Sequence, residues 1–141
     1  MTFWDSSAIV PLLVSEERTP ALQSFLNEDQ TLLTWWATPV ECASAIARRE
    51  RDDSLTAEEA SQALARLKAL SEAWHEIAPS ETTRRIAVRL LRVHPLRAAD
   101  SLQLAAAIVA AEREPESLPL LTLDERLQVA AEKEGFPLVS V

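Results

Sequence analysis

Thr2-Phe3-Trp4-Asp5-Ser6-Ser7-Ala8-Ile9-Val10 opens the chain with a short apolar run that turns, at one carboxylate, into a helical pattern. Thr2–Asp5 reads as a short buried strand and Ser7–Val14 as a first helix, with Pro11 tolerable only near its start. The same punctuation recurs toward the other end, where Leu120-Leu121-Thr122-Leu123-Asp124 is again an apolar run closed by an aspartate. Between the two, strand signals alternate with helix signals, the pattern of a parallel sheet covered on both faces.

The intervening elements follow from caps and periodicity. Thr19–Asn27 reads as a helix, with Thr19 as N-cap and Pro20 at its first position. Thr31–Trp36 is a β-branched and aromatic strand. Thr38-Pro39-Val40-Glu41 opens a helix whose end, Arg48-Arg49-Glu50-Arg51, suits the negative pole of the helix dipole. Thr56-Ala57-Glu58-Glu59 starts another, with Ala60, Ala63, Leu64, Leu67, Leu70 and Trp74 on one stripe. His75–Pro79 is a third strand, and Ser80–Val93 a helix stopped by His94-Pro95. Ala98–Glu114 is a strongly apolar helix, to be packed on the sheet over most of its surface. Leu118–Leu123 is a fourth strand, and Asp124–Glu134 a helix closed by Gly135, the only glycine of the chain. Pro137–Val141 completes the expectation as a fifth strand. The predicted fold is α/β, a five-stranded parallel sheet flanked by helices, in a single domain spanning residues 1–141 with no repeat and no linker.

Composition narrows the function classes. Hydrophobic residues are 48% and charged residues 26% of the 141, an ordinary globular balance. No segment resembles a signal peptide or is long and uncharged enough to span a bilayer, so no membrane role and a cytoplasmic location are expected. The single cysteine, Cys42, excludes an internal disulfide or a thiolate metal cluster. A net charge of -8 argues against a broad electrostatic grip on nucleic acid and leaves that task to local patches. Arg85, Arg89 and Arg92, spaced i, i+4 and i+7, are either a solvated helix face or a phosphate-contacting strip.

Topology then gives meaning to four acids. In an open α/β sheet, ligands bind beyond the C-terminal ends of the strands, where the strand order reverses. Asp5 and Asp124 end the first and fourth strands, and Glu41 leads the helix after the second. Asp100, in the first turn of its helix, is the acid whose placement derives least from topology. Clustered carboxylates drive one another to protonate unless a cation relieves them. Oxygen donors suit a hard ion such as Mg²⁺ or Mn²⁺, and the hydroxyls of Ser6 and Thr122 can orient carboxylates or water beside it. Each acid also has a sufficient structural reading when taken singly. Glu41 completes a capping-box pattern with Thr38, Asp100 suits the helix dipole, and Asp5 and Asp124 are natural N-caps. Only their joint placement favours a site.

With those residues quoted, the chain resembles the PIN-domain ribonucleases, specifically the VapC-type toxins of bacterial toxin–antitoxin pairs. Trp4-Asp5-Ser6-Ser7-Ala8-Ile9-Val10 resembles the family's opening motif. Thr38-Pro39-Val40-Glu41-Cys42-Ala43-Ser44-Ala45 is similar to the second, and the run from Leu96-Arg97-Ala98-Ala99-Asp100 to Ala107 to the third. Leu121-Thr122-Leu123-Asp124-Glu125-Arg126-Leu127, followed by Gly135, is similar to the fourth motif and tail. The resemblance spans the chain in order and spacing. It implies a PIN-like three-layer fold and a Mg²⁺- or Mn²⁺-dependent endoribonuclease. It also implies an RNA substrate, a homodimer, and a small antitoxin partner that inhibits at the site. Asp5, Glu41, Asp100 and Asp124 carry over as metal-binding catalytic acids, with Ser6, Thr122 and Arg97 in support. Serine stands at Ser6 where the family often has threonine, and at Ser101 where alanine is commoner. Arg97 is expected to pair with an acid of the site in preference to binding phosphate directly.

Two other readings compete. One is a non-catalytic interaction module in which the acids serve as caps and ion-pair partners. The other, a phosphoacceptor receiver, lacks an Asp-x-Asp after the first strand and a lysine near the end of the fourth. His75 and His94 stand in no metal-binding spacing and are assigned to packing or surface. Cys42 is expected as a buried small hydrophobe, and the Trp35-Trp36 pair as core plus one interface contact.

Overall fold

The computed structural model describes residues Met1 to Val141. Its sheet is built of β1 (Thr2–Trp4), β2 (Leu32–Trp35), β3 (His75–Ile77) and β4 (Leu120–Leu121), all parallel, in the order β3-β2-β1-β4. The chain runs outward from β1 to β3 and then crosses back to lay β4 on the other side of β1. The order therefore reverses between β1 and β4, where a ligand crevice is expected in such a sheet.

The helices are α1 (Ser6–Leu13), α2 (Thr19–Glu28), α3 (Thr38–Arg51), α4 (Ala57–Ala73), α5 (Glu81–Val93), α6 (Ala98–Ala110) and α7 (Glu125–Lys133). Because successive strand residues point to opposite faces, the sheet feeds two cores. Phe3, Leu33 and Leu120 face one way, onto Ala87, Leu90, Leu104, Ala105 and Leu127 of α5, α6 and α7. Trp4, Leu32 and Leu121 face the other, onto Ile9, Leu22, Ile46 and Ala63 of α1 to α4. These are the three layers, helix–sheet–helix.

The sheet has four strands where five are expected. The segment after Gly135 reaches β4 through one parallel bridge, Leu120↔Leu138, with hydrogen bonds from Leu120 N to Pro137 O at 2.9 Å and from Val139 N to Leu120 O at 3.0 Å. Pro137 has no N–H to extend the ladder, and β4 is itself only two residues long. Smaller differences have local causes. Thr19 does not cap α2: its hydroxyl accepts from Glu16 N and donates to Pro11 O, tying α2 to α1. The α6 helix stops at Ala110, short of Glu114, because Glu112 and Arg113 turn into the left-handed region at φ 51° and 65°. The Thr56–Glu59 capping box on α4 is complete.

Gly135 has φ +100°, and a Cβ there would stand 3.2 Å from Pro115 Cγ. Gly135→Ala is expected to lower unfolding stability by about 1–3 kcal/mol, read as a lower midpoint in urea with an unchanged m-value. A neutral substitution would mean that this turn relaxes freely.

Candidate active site

Four chain segments deliver acids to one edge of the sheet. Asp5 follows β1 directly and caps α1, accepting from Ser7 N at 3.2 Å. It is 3% exposed, and its Oδ2 also accepts from Ser7 Oγ at 2.6 Å and Thr122 Oγ1 at 2.8 Å. Asp124 caps α7 through Leu127 N at 3.0 Å. Asp100 lies half-buried in the first turn of α6. Glu41 stands in the first turn of α3. All four line a cleft of about 340 Å³, together with Ser6, Ser7, Arg48 and Arg97.

The cap readings divide. Asp5 and Asp124 are caps as well as cleft residues. The Thr38–Glu41 capping box does not form: α3 has no side-chain cap, and Thr38 Oγ1 accepts from Gln103 Nε2 at 3.1 Å. The Glu41 carboxylate turns instead into the cleft, where it accepts from Ser6 Oγ at 3.0 Å and Gln103 Nε2 at 3.2 and 3.3 Å. Ser6 donates to Glu41 and Thr122 to Asp5. The expected Arg97 ion pair is absent, since none of the chain's ion pairs includes Arg97 or any of the four acids. Arg97 is exposed at the cleft rim just ahead of α6, where an open pair gains little over water.

Three contributors are not among the expected site residues. Ser7 donates to Asp5, approaches Thr122 Oγ1 at 3.1 Å and accepts from Leu123 N at 2.9 Å, stitching the β1 and β4 ends together. Gln103 is fully buried and orients Glu41, leaving its own Oε1 without a partner. Its signal is a lone polar residue in the apolar helical run from Leu102 to Ala111. Arg48 stands seven residues after Glu41, hence on the same helix face, a spacing that the dipole explanation of the basic helix end obscures.

Electrostatically the cleft is loaded. Burial pushes the Asp5 carboxyl above its ordinary range, against the hydrogen bonds from Ser7 and Thr122, and the nearby Asp124 charge adds to the rise. Burial raises Glu41 to about 7, opposed by Gln103 and Ser6 and reinforced by Asp5 and Asp100. Asp100 is raised by burial, then by Asp124 and Asp5. No three acidic, histidine or cysteine side chains are drawn close enough to hold an ion as they stand. The donor set still fits a hard divalent ion: carboxylates and hydroxyls, with no imidazole, and with the buried Cys42 thiol pushed by burial up to about 12.

A parallel α/β sheet with an acidic cleft at its reversal point defines a class of domains that act on ligands at the strand ends. Within that class the chain belongs to the PIN domain family, whose profile matches residues 2–133. Among solved structures, FitAcB from Neisseria gonorrhoeae matches with a TM-score of 0.67 at 16% identity, covering 99% of this chain and 97% of that one. At that identity the likeness concerns the fold. No curated protein sequence matches. No helix is long and apolar enough to cross a membrane.

The raised acids set a pH dependence. An unfolded Glu41 gives up its proton near its ordinary 4.5, whereas the folded one keeps it until about 7. The native state binds more protons across that window, so stability falls as pH rises through it; Asp5 and Asp100 act in the same sense. Thermal melts of the metal-free protein across the window should show that fall, with Glu41→Gln flattening it. A Glu41→Gln slope equal to the native one would place the titration elsewhere.

Proposed function

We propose that this chain is a Mg²⁺- or Mn²⁺-dependent endoribonuclease of the VapC type, the toxin half of a toxin–antitoxin pair. The observation that carries the reading is the single cleft collecting Asp5, Glu41, Asp100 and Asp124 in a chain of the PIN domain family. The four acids would hold the ion, which supplies charge neutralisation at the phosphodiester and a more acidic water.

The chain's own residues do the rest. Ser7 and Thr122 fix the Asp5 carboxylate through Oδ2, while Oδ1 has only a long contact with Ser6 Oγ at 3.5 Å. Ser6 and Gln103 orient the Glu41 carboxylate into the cleft, where it would serve as one of the ion's ligands. Arg48 and Arg97 line the same cleft without ion-pair partners and are the local cations that bring an RNA phosphate into an acidic protein. In the overall hydrolysis a water oxygen bonds to phosphorus in line, the P–O3′ bond breaks, and the 3′-oxygen takes up a proton. A small antitoxin covering the cleft and a homodimer belong to the same proposal.

A second reading, an interaction module without catalysis, draws on the caps that Asp5 and Asp124 do form. Two measurements separate the readings. Purified protein should cleave RNA in Mg²⁺ or Mn²⁺ and stop on chelation. Asp5→Asn should lose about 10²-fold or more of that activity while remaining folded. Saturating Mn²⁺ should raise the melting temperature of the native protein but not that of Asp5→Asn. Undiminished cleavage in excess chelator would sink the metal-dependent mechanism. No cleavage and no metal-induced stabilisation would favour the module.

A further inference from the structure

A second cavity, of about 580 Å³, gathers Arg85 and Arg89 from successive turns of α5 and Arg113 from the turn after α6. It shares no lining residue with the acid cleft. Asp100 begins α6 and Ile108 lies two turns further along it; Asp124 caps the start of α7 and Glu134 its end. The two sites therefore sit toward opposite ends of the same two helices, separated by about 12 Å of helix.

Its charge is not internally satisfied. Glu134 is the one acid in the lining, and both its oxygens are engaged, by Arg89 at 3.3 Å and by the buried His94 at 2.7 Å. Arg85 and Arg113 form none of the chain's ion pairs. Arg113 reaches the cavity because the chain leaves α6 through consecutive left-handed residues, tied back by Arg113 N to Ile108 O at 3.2 Å. That conformation is disfavoured for residues other than glycine and, to a smaller degree, asparagine and aspartate. Ile86, Ile108 and Pro115 supply an apolar wall. Arg92, the next residue on the α5 stripe, is exposed and lies outside the cavity. The arginines thus converge on a hollow and do not run on as a track for a strand.

We propose that this cavity binds a phosphorylated small molecule of nucleotide size, its phosphate between Arg85 and Arg113 and its ring against Ile86, Ile108 and Pro115. Guanidinium forks match phosphate oxygens in geometry and charge, and an apolar wall is of use only to a ligand with a ring or chain to bury. The volume falls within the range of about 300–1,000 Å³ usual for small-molecule sites. The site is independent of the nuclease reading, since it uses none of the four acids.

The test is calorimetric titration of the purified chain in EDTA and low salt with ADP, GDP, CDP and UDP in turn. At least one should bind saturably and more weakly as salt is raised, and the matching nucleoside should bind about tenfold or more less tightly. Arg85→Ala and Arg113→Asn should each cost about tenfold or more in affinity. Both side chains are exposed and outside any ion pair, and asparagine tolerates the left-handed backbone at Arg113, so both variants should fold. Asp5→Asn should bind the nucleotide like the native protein. Saturable binding by none of the four would overturn the proposal, as would equal binding of the nucleoside or unchanged affinity in both arginine variants. Binding of short single-stranded RNA through these arginines, with no nucleotide bound, would overturn it in favour of an RNA contact.

Discussion

Asp5 is withdrawn from water at the C-terminal end of β1, an inner strand of the sheet, and no cation of the chain pairs with it. Burying an unpaired carboxylate is costly by several kcal/mol even after relaxation, so about it the fold has little freedom. What it offers is a set of donors: the Ser7 main chain and hydroxyl, and the Thr122 hydroxyl from across the strand-order reversal. Those contacts join the start of α1 to the end of β4. With Leu123 N donating to Ser7 Oγ, they fix where Asp124 begins α7. The position of the cleft is thus a consequence of satisfying one buried group.

The surrounding site bears further unrelieved cost. Glu41 and Asp100 are raised by burial and by their acidic neighbours, and Gln103 leaves a buried oxygen without a partner in order to turn its amide toward Glu41. That cost is concentrated where ligand binding has most to add, an arrangement typical of preorganised sites. The caps at Asp5 and Asp124 recover part of the cost, because the same carboxylates also satisfy helix N-terminal amides. Cap and site are compatible roles for one side chain, and Asp5 and Asp124 fill both positions.

Most of the architecture is legible from local signals. The strand-to-helix switch at Asp5 and the solitary glycine at 135 mark boundaries that the structure keeps to within a few residues. The fifth strand is misread because apolar character in Pro137–Val141 says nothing of whether a two-residue neighbour can pair with it. Topology gives three of the acids a reason to converge. Asp100 depends on how α5 and α6 return the chain to the edge, a long-range matter that reaches the sequence only through the family motif. Gln103 and Ser7 are harder, since their roles lie in hydrogen bonds to residues 62 and 115 positions away.

Those long separations have a consequence for synthesis. Strand β1 is made long before one of its two neighbours, Leu120–Leu121, which lies far along the chain from it. Until then Phe3 and Trp4 lack half their sheet partners, and Asp5 lacks the Thr122 hydroxyl that makes its burial tolerable. A nascent chain can dock α1 to α4 early but cannot close the acidic edge until Thr122 and Asp124 have emerged. The cleft therefore comes into being late and all at once, so incomplete chains carry its first aspartate without the partners that would give it a function.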